Sequence, residues 1–578
     1  MYTLGINAAF HDPAACLVED GRIVAAAEEE RFTRIKHGKR PVPFSAWELP
    51  FHAMDFCLGK ANVTLRDVQH VAYSFQPAQL LDGRADAESI AIPLHPARYP
   101  RTAEWESPWD PLFLSHLVNA PRQLADGAPL HLGRRFAGVW WDGPYRWHYV
   151  DHHEAHAASA FLASPFDEAA VLCLDGRGER ATTSYWLGRG ATLERLGQVE
   201  MPHSLGLLYE EVTHHLGFLR SSDEYKVMAL ASYGAPSFAD ELRSMIHVAD
   251  GGHYRIEPAR LAERFGPARA RGAPMRQRDF DLARSLQAVL EETVLELAQW
   301  LREATGTAAL CMAGGVALNC VMNARIRDAG IFDHVWVQPA AGDAGTALGA
   351  ALAVDAAERK AASHGSMEHA YLGPSFDDEE IATFLEWSKL PFRRAADVAE
   401  ETAALLAKDR IVGWFQGAME FGPRALGARS ILASPIDPQM QARLNELKDR
   451  EDFRPVAPAV LEEEAGEWFD GATSAPFMLF VFDVRPERAD RIPAVRHVDG
   501  TARVQTVRRD QNPRYHDLLR AFHRRTGVPI LVNTSFNTRG EPIVCTPRDA
   551  VESFWTSPLD ALAIGSFILE KPSQGDRP

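Results

Sequence analysis

The chain has 578 residues, 46% of them hydrophobic and 24% charged, with a formal net charge of −17. That length exceeds what one hydrophobic core organises and predicts two or three domains. The acidic balance argues against nucleic-acid binding, which wants a basic face. No run of roughly eighteen uncharged apolar residues offers a membrane span, and no secretory signal is read at the N-terminus. The six scattered cysteines read as buried thiols of a reducing cytoplasm.

In chain order, Thr3–Asn7 and Ala14–Val18 are apolar, and Asp20-Gly21 supplies a tight turn before Arg22–Ala27. The pattern recurs at Ala169–Asp175 and Thr182–Leu187. Two strand–loop–strand units, each with a small polar loop after its first strand, predict an internal duplication. That is the layout of the actin/hexokinase-like ATPase fold, in which two related halves clamp a nucleotide. Between the units lies Phe75–His148, rich in proline and aromatics, with Trp105, Trp109, Trp140, Trp141 and Trp147; it reads as an insertion that could shape a pocket.

Apolar residues from Leu282 to Leu301 recur at spacings of three and four, which predicts a helix ended by Gly306. A strand entering Ala313–Asn319 (AGGVALN) and a helix starting near Asn319 follow, then Val335–Leu348 as strand, glycine-rich turn and helix, with Asp343 at the turn. Ala356–His369 reads as a linker. A second module begins near Asp377 and holds a strand at Ile411–Phe415, then Phe421–Ser430 (FGPRALGARS), Lys448–Pro458 and Ile530–Asn537.

Three constellations carry chemistry. Asp151–His156 (DHHEAH) puts His152 and His156 on one helix face; alone, they are either a metal-binding pair or two hydrogen-bonded helix histidines. Asp175 and Asp343 at loop ends tip the balance, because two imidazoles plus a carboxylate suit iron(II) and leave positions open. The loop Asp175–Glu179 (DGRGE) and the Gly314-Gly315 turn fit phosphate and nucleoside contacts. Arg424, Arg429, Lys448, Arg450, Arg454 and Arg503, set near Asn533 and Ser535 in an acidic chain, predict an anion site whose amide and hydroxyl groups hold a small amide-like group. His11-Asp12 follows the first strand, where a histidine can take a hydroxyl proton, and Lys36 lies on the same approach.

These motifs, with Glu28–Gly38, Glu224–Gly234 and Gly342–Gly349, resemble the O-carbamoyltransferases of the nodulation-factor, cephamycin and nebramycin type nearly end to end. The resemblance implies an α/β chain of two domains. Residues 1–369 would be an actin-like ATPase domain similar to tRNA threonylcarbamoyltransferase, with the aromatic-rich insertion at about 75–148. Residues 370–578 would be a YrdC-like domain that makes carbamoyl adenylate from carbamoyl phosphate and ATP. It further implies transfer of the carbamoyl group to an acceptor hydroxyl, iron(II) in the first domain, and ATP as co-substrate with magnesium as its companion. His152, His156, Asp175 and Asp343 look like metal ligands. Asp175, Gly314, Gly315, Asn319, Ala344 and Arg424 look like nucleotide contacts. Lys448, Arg454, Arg503, Asn533 and Ser535 match the carbamoyl phosphate site, Lys36 would meet the adenylate, and His11 the acceptor hydroxyl.

Two departures bear on the acceptor. The loop Asn7–Phe10 is short and lacks an acidic residue that relatives with a longer loop carry, and the 75–148 region is longer and more aromatic than expected. Both favour a neutral or partly apolar acceptor, a macrolide or glycosylated natural product, over a polycation. The expected partners are small molecules, with no nucleic acid or membrane, acting on a cytoplasmic monomer or homodimer. A tRNA-modifying threonylcarbamoyl-type transferase and a sugar or acid kinase of the same ATPase fold are the competing readings. The first is disfavoured by the charge, and the second leaves the histidine pair and the C-terminal module unexplained.

Overall fold

The computed structural model describes residues 1–38, 49–81, 117, 118, 120, 121, 123, 124, 144–538 and 540–571. Most of the aromatic stretch, including Trp105, Trp109, Trp140 and Trp141, lies outside the described residues.

The first sheet is built from β1 (Tyr2–Asn7), β2 (Ala14–Glu19), β3 (Arg22–Glu28), β4 (His70–Tyr73) and β5 (Arg146–Tyr149), in the order β3-β2-β1-β4-β5. β1, β2 and β3 run antiparallel, and β4 and β5 join β1 in parallel. Asp20 and Gly21 turn the β2–β3 hairpin with φ of 49° and 84°, left-handed backbone that matches the twist of the flanking strands. The second sheet repeats the scheme with β6 (Glu168–Leu174), β7 (Ala181–Arg189) and β8 (Thr192–Glu200). A small hairpin, β9 (Ile246–Ala249) and β10 (His253–Ile256), intervenes before β11 (Ala309–Ala313) and β12 (His334–Val337). The order β12-β11-β6-β7-β8, with β6–β8 antiparallel and β11 and β12 parallel to β6, reproduces the first sheet strand for strand. The duplication read from the hairpins is therefore real, and the topology is that of the actin-like ATPase fold.

Two helices, His152–Phe161 and Ala344–Arg359, fill the space between the sheets. They approach so closely that a Cβ on Gly349 would lie 1.7 Å from Ala155 O, and one on Gly5 of β1 would lie 1.9 Å from Ala347 O. Only glycine permits these contacts, and they hold the histidine helix against the helix that Asp343 begins. The long helix Gln277–Thr305 covers the outer face of the second sheet and ends at Gly306 with φ 69°. The strand expected at Ala313–Asn319 stops at Ala313; a 3-10 turn follows, and Asn319 caps the helix Cys320–Asp328. The presumed linker overlaps helix as far as Arg359, because its alanines continue the apolar face.

The C-terminal module is also α/β. Its sheet comprises β13 (Arg393–Arg394), β14 (Val412–Phe415), β15 (Arg429–Ala433), β16 (Ala457–Leu461), β19 (Gln505–Val507), β20 (Ile530–Ser535), β21 (Ala561–Ile564) and β22 (Phe567–Glu570). The order is β13-β22-β21-β14-β15-β20-β16-β19; a separate ribbon pairs β17 (Val481–Asp483) with β18 (Thr501–Arg503). The modules are locked by a buried clamp. Glu28 Oε1 accepts from the Gly422 N–H (2.8 Å), and Arg31 Nη2 donates to Gly422 O (3.0 Å) and to Glu28 (2.9 Å), while Arg31 Nη1 reaches Glu30 (2.8 Å). Phe421, Leu426, Ala457 and Met478 of the second module enter the core between the first module's sheets.

Removing one partner of a buried ion pair strands the other charge away from water. Arg31→Ala is therefore expected to lose roughly 3–5 kcal/mol of stability, read as a lower midpoint in urea unfolding.

Candidate active sites at the helix pair and at the module interface

His152 and His156 project from adjacent turns of the buried helix, whose N-cap Asp151 accepts from the Glu154 N–H (2.8 Å). Asp175 comes from the end of β6, and Asp343 stands at the N-terminus of the Ala344–Arg359 helix. One donor atom from each of the four lies within 4.8 Å of every other. His152 Nε2 is 3.6 Å from both Asp175 Oδ2 and Asp343 Oδ1, and His156 Nε2 is 3.9 and 3.8 Å from the same oxygens. All four residues are buried, and both Nε2 atoms lack a hydrogen-bond partner.

The surroundings aim these atoms. His152 Nδ1 faces Ser74 O at 3.2 Å, so that nitrogen carries a proton and Nε2 is the atom left to face the cluster. The Gly315 N–H donates to Asp175 Oδ1 (2.8 Å), turning Oδ2 toward the histidines. At Gly314, with φ 92°, a Cβ would lie 2.1 Å from Leu174 O, which is why this turn needs glycine. Burial pushes the Asp343 carboxyl up, but His11 and His152 more than reverse it and bring it down to about 2. Asp175 is likewise held low against its burial, by His152 and His156. Burial lowers the His152 imidazole, yet Asp343 and Asp175 hold it well above the usual range. Two buried carboxylates facing two imidazoles need positive charge between them, and the orphaned Nε2 atoms fit a divalent cation as its source.

Glu179 and His153, within the DGRGE and DHHEAH motifs, have roles that the sequence reading did not assign to them. Glu179, the last residue of DGRGE, accepts from the N–H groups of His152 (3.0 Å) and Gln76 (2.6 Å) and is pushed up to about 7, chiefly by burial. It secures the first turn of the histidine helix. His153 is not part of the cluster; its Nδ1 pairs with Ser184 Oγ (2.9 Å), and burial lowers it to about 3. His11 joins the edge of the cluster, its Nε2 3.7 Å from Asp343 Oδ2. Asn319 exchanges hydrogen bonds with Gln287 (2.8 and 3.1 Å) and caps its helix, so its side chain organises the Gly314–Asn319 loop from within. Ala344 is buried at the start of its helix.

A second site lies between the modules. A cavity of about 120 Å³ is lined by Tyr225, Met228 and Cys320 from the first module and Arg424, Arg450, Arg454, Arg503 and Asn533 from the second. Nε of Arg424 and Arg503 and Nη2 of Arg450 are buried without a hydrogen-bond partner. Burial lowers Arg424 to about 9, with Arg503 and Arg454 adding to it, and lowers Arg450 to about 9, with Arg454 adding. Lys448 donates to Ser535 Oγ (3.0 Å) and Asn537 Oδ1 (2.9 Å) and is held well below the lysine range by burial, Arg450, Arg454 and Lys36. Lys36, from the first module, is lowered by burial and by Arg454. Converging cations that repel one another suit an anionic ligand. Arg424 also reaches Leu318 O (3.4 Å), so it joins this cluster while touching the loop after Gly314. Arg429 does not belong to the cluster. It is buried over the Phe415 ring and donates to the carbonyls of Gln416, Gly417 and Pro374, a structural role that its spacing in FGPRALGARS could not distinguish.

A duplicated core of actin-like topology with a buried two-histidine, two-carboxylate cluster is joined to a cation-lined cavity in one α/β chain. The model of the carbamoyltransferase N-terminus matches residues 2–81 and 146–352, and that of the carbamoyltransferase C-terminus matches residues 403–571. The chain belongs to the carbamoyltransferase family. It is similar to the nodulation protein NolNO of Sinorhizobium fredii, 39% identical over 98% of this chain and 80% of that protein. It is also similar to the uncharacterized protein sll1178 of Synechocystis sp., 40% identical over 100% of this chain and 98% of that protein. Among solved structures, component A of the Acidaminococcus fermentans (R)-2-hydroxyglutaryl-CoA dehydratase matches at 14% identity and a TM-score of 0.30, covering 62% of this chain and 99% of that one.

Deleting one cation from the cavity relieves repulsion while removing an anion contact. Arg424→Gln is therefore expected to gain about 0.5–2 kcal/mol in anion-free buffer and to lose most of the stabilisation that added sulfate gives the wild type, measured by denaturation with and without sulfate.

Proposed function

We propose that this carbamoyltransferase uses ATP and carbamoyl phosphate to make carbamoyl adenylate in the cavity between the modules, then passes the carbamoyl group to an acceptor hydroxyl beside the histidine helix. The observation that carries the reading is the cavity, where Arg424, Arg450, Arg454 and Arg503 converge and Arg424, Arg450 and Arg503 each keep a buried, unpartnered guanidinium nitrogen. Carbamoyl phosphate is small and dianionic, and it suits this cluster. Asn533, whose Oδ1 has no partner, would accept from the carbamoyl NH₂. In the first step water breaks the phosphorus–oxygen bond of carbamoyl phosphate, releasing phosphate and leaving carbamate; a carbamate oxygen then bonds to the ATP α-phosphorus as the bond to pyrophosphate breaks. In the second, the acceptor oxygen bonds to the carbamoyl carbon as the bond to AMP breaks, and His11 takes the hydroxyl proton at Nε2.

Lys36 would meet the adenylate between the two sites, since Arg454 and Lys448 sense its charge from the other module. Asp175 and the turn at Gly314 and Gly315 would receive the nucleotide. His152, His156, Asp175 and Asp343 would hold iron(II); when bound, such a metal supplies positive charge to the phosphate of the departing AMP. The module interface would shelter the mixed anhydride from water. The short, acid-free loop Asn7–Phe10 favours a neutral or partly apolar acceptor, a macrolide or glycoside.

Pyrophosphate release from ATP is expected only when carbamoyl phosphate is present; release without it, or phosphorylation of a sugar or acid instead, overturns the reading. His156→Ala is expected to lose bound iron and transfer while still releasing pyrophosphate. Mass spectrometry of hydroxylated natural products incubated with both co-substrates should reveal a carbamoyl adduct. Carbamoylation confined to polycationic acceptors would sink the acceptor class.

A further inference from the structure

Two side chains that the proposed reaction does not use stand behind His11. His11 Nδ1 lies 2.9 Å from Asp12 Oδ2, and the other oxygen, Asp12 Oδ1, lies 2.8 Å from His37 Nδ1. An ionised carboxylate only accepts, so both rings present a protonated Nδ1 to it. In its neutral form His11 is thereby committed to the tautomer whose Nε2 carries a lone pair, and that atom faces the cluster, 3.7 Å from Asp343 Oδ2.

The backbone is bent to make this arrangement. Phe10, Asp12 and His37 all have left-handed φ, at 50°, 51° and 59°. Such residues persist only where their surroundings over-determine them. Here the Asp12 N–H donates to His37 O (3.1 Å), Asn7 Nδ2 donates to the carbonyls of His11 and Asp12 (both 3.0 Å), and the His37 N–H donates to Glu30 Oε2 (2.6 Å). Glu30 Oε1 is taken by Arg31. Asp12, Glu30 and His37 are close enough to hold a cation, but each of the four carboxylate oxygens already has a donor, so the group works as a hydrogen-bonded brace.

We propose that Asp12 and His37 are positioning residues for carbamoyl transfer: His37 anchors Asp12, and Asp12 fixes the tautomer and aim of His11. This rests on the role proposed above for His11 as the proton acceptor. The inference predicts a selective defect. An alcohol needs its proton removed as it attacks, whereas hydroxylamine is nucleophilic enough to attack without a base.

The test uses the full, iron-loaded chain with ATP and carbamoyl phosphate, and either methanol or hydroxylamine as the probe acceptor. Asp12→Gly suits the left-handed backbone and removes the brace. It should lower kcat for methyl carbamate formation by roughly 10²–10⁴-fold, with the KM for methanol and the rates of hydroxyurea formation and pyrophosphate release unchanged. His37→Asn, which keeps a donor and tolerates the same backbone, should retain most of the methanol activity that His37→Gly loses. Equal loss of both products in Asp12→Gly, or full methanol activity, overturns the positioning role. So does a wild type that makes hydroxyurea but no methyl carbamate. Methanol transfer that survives His11→Gln overturns instead the assignment of His11 as base, and pyrophosphate release without carbamoyl phosphate overturns the proposed function itself.

Discussion

Glu28 and Arg31 are both buried under Gly422 of the other module, and most of what this enzyme can do depends on that contact. A buried ion pair gains little net stability over an apolar one, but breaking it is costly, so its effect is to define one arrangement of the modules. Gly422 takes φ 119° and lies against Pro339, four residues before Asp343. The same contact therefore sets the second module against the loop that delivers a cluster carboxylate. From Arg31 the hydrogen bonds continue through Glu30 to His37, Asp12 and His11. One polar chain joins the module interface to the edge of the histidine cluster.

The cavity follows from this arrangement. Its cations come from the second module, but Tyr225 and Cys320, and Lys36 nearby, come from the first. Tyr225 lies under the Arg454 guanidinium at 4.6 Å, and Lys226 pairs with Glu451 at 2.8 Å. Neither module encloses the cavity alone. A ligand held there would contact both halves at once.

Much of this was legible in the residues. The two strand–loop–strand units announced the duplication because apolar runs broken by short polar loops recur in the same order. The four side chains that cluster, His152, His156, Asp175 and Asp343, were legible as a set because each stood at a recognisable position: two on one helix face, one after a buried strand, one at a glycine-rich turn before a helix. The anion cluster was legible only in outline. Arg424 and Arg429 stand five residues apart in one motif, yet one lines the cavity and the other is spent on backbone carbonyls. The sequence placed His11-Asp12 and the Lys36 segment on one approach, but not the His37–Asp12 contact, because the β2–β3 hairpin and the helix Glu30–Thr33 lie between them and only their packing brings the two together.

The sequence by itself determined the class of chemistry: the α/β class, the repeated half, the donor types that suit a metal, and the cations that suit a small anion. Local patterns encode these, because hydrophobic period, turn residues and side-chain type act over a few neighbours. Tertiary structure decided which donors meet and how they are aimed. Whether an imidazole offers a proton or a lone pair depends on what faces its other nitrogen, and here that is Ser74 O for His152 and Asp12 for His11. Those partners lie 78 residues away and next door, respectively, and even the neighbour serves only because the fold holds its backbone in a left-handed turn.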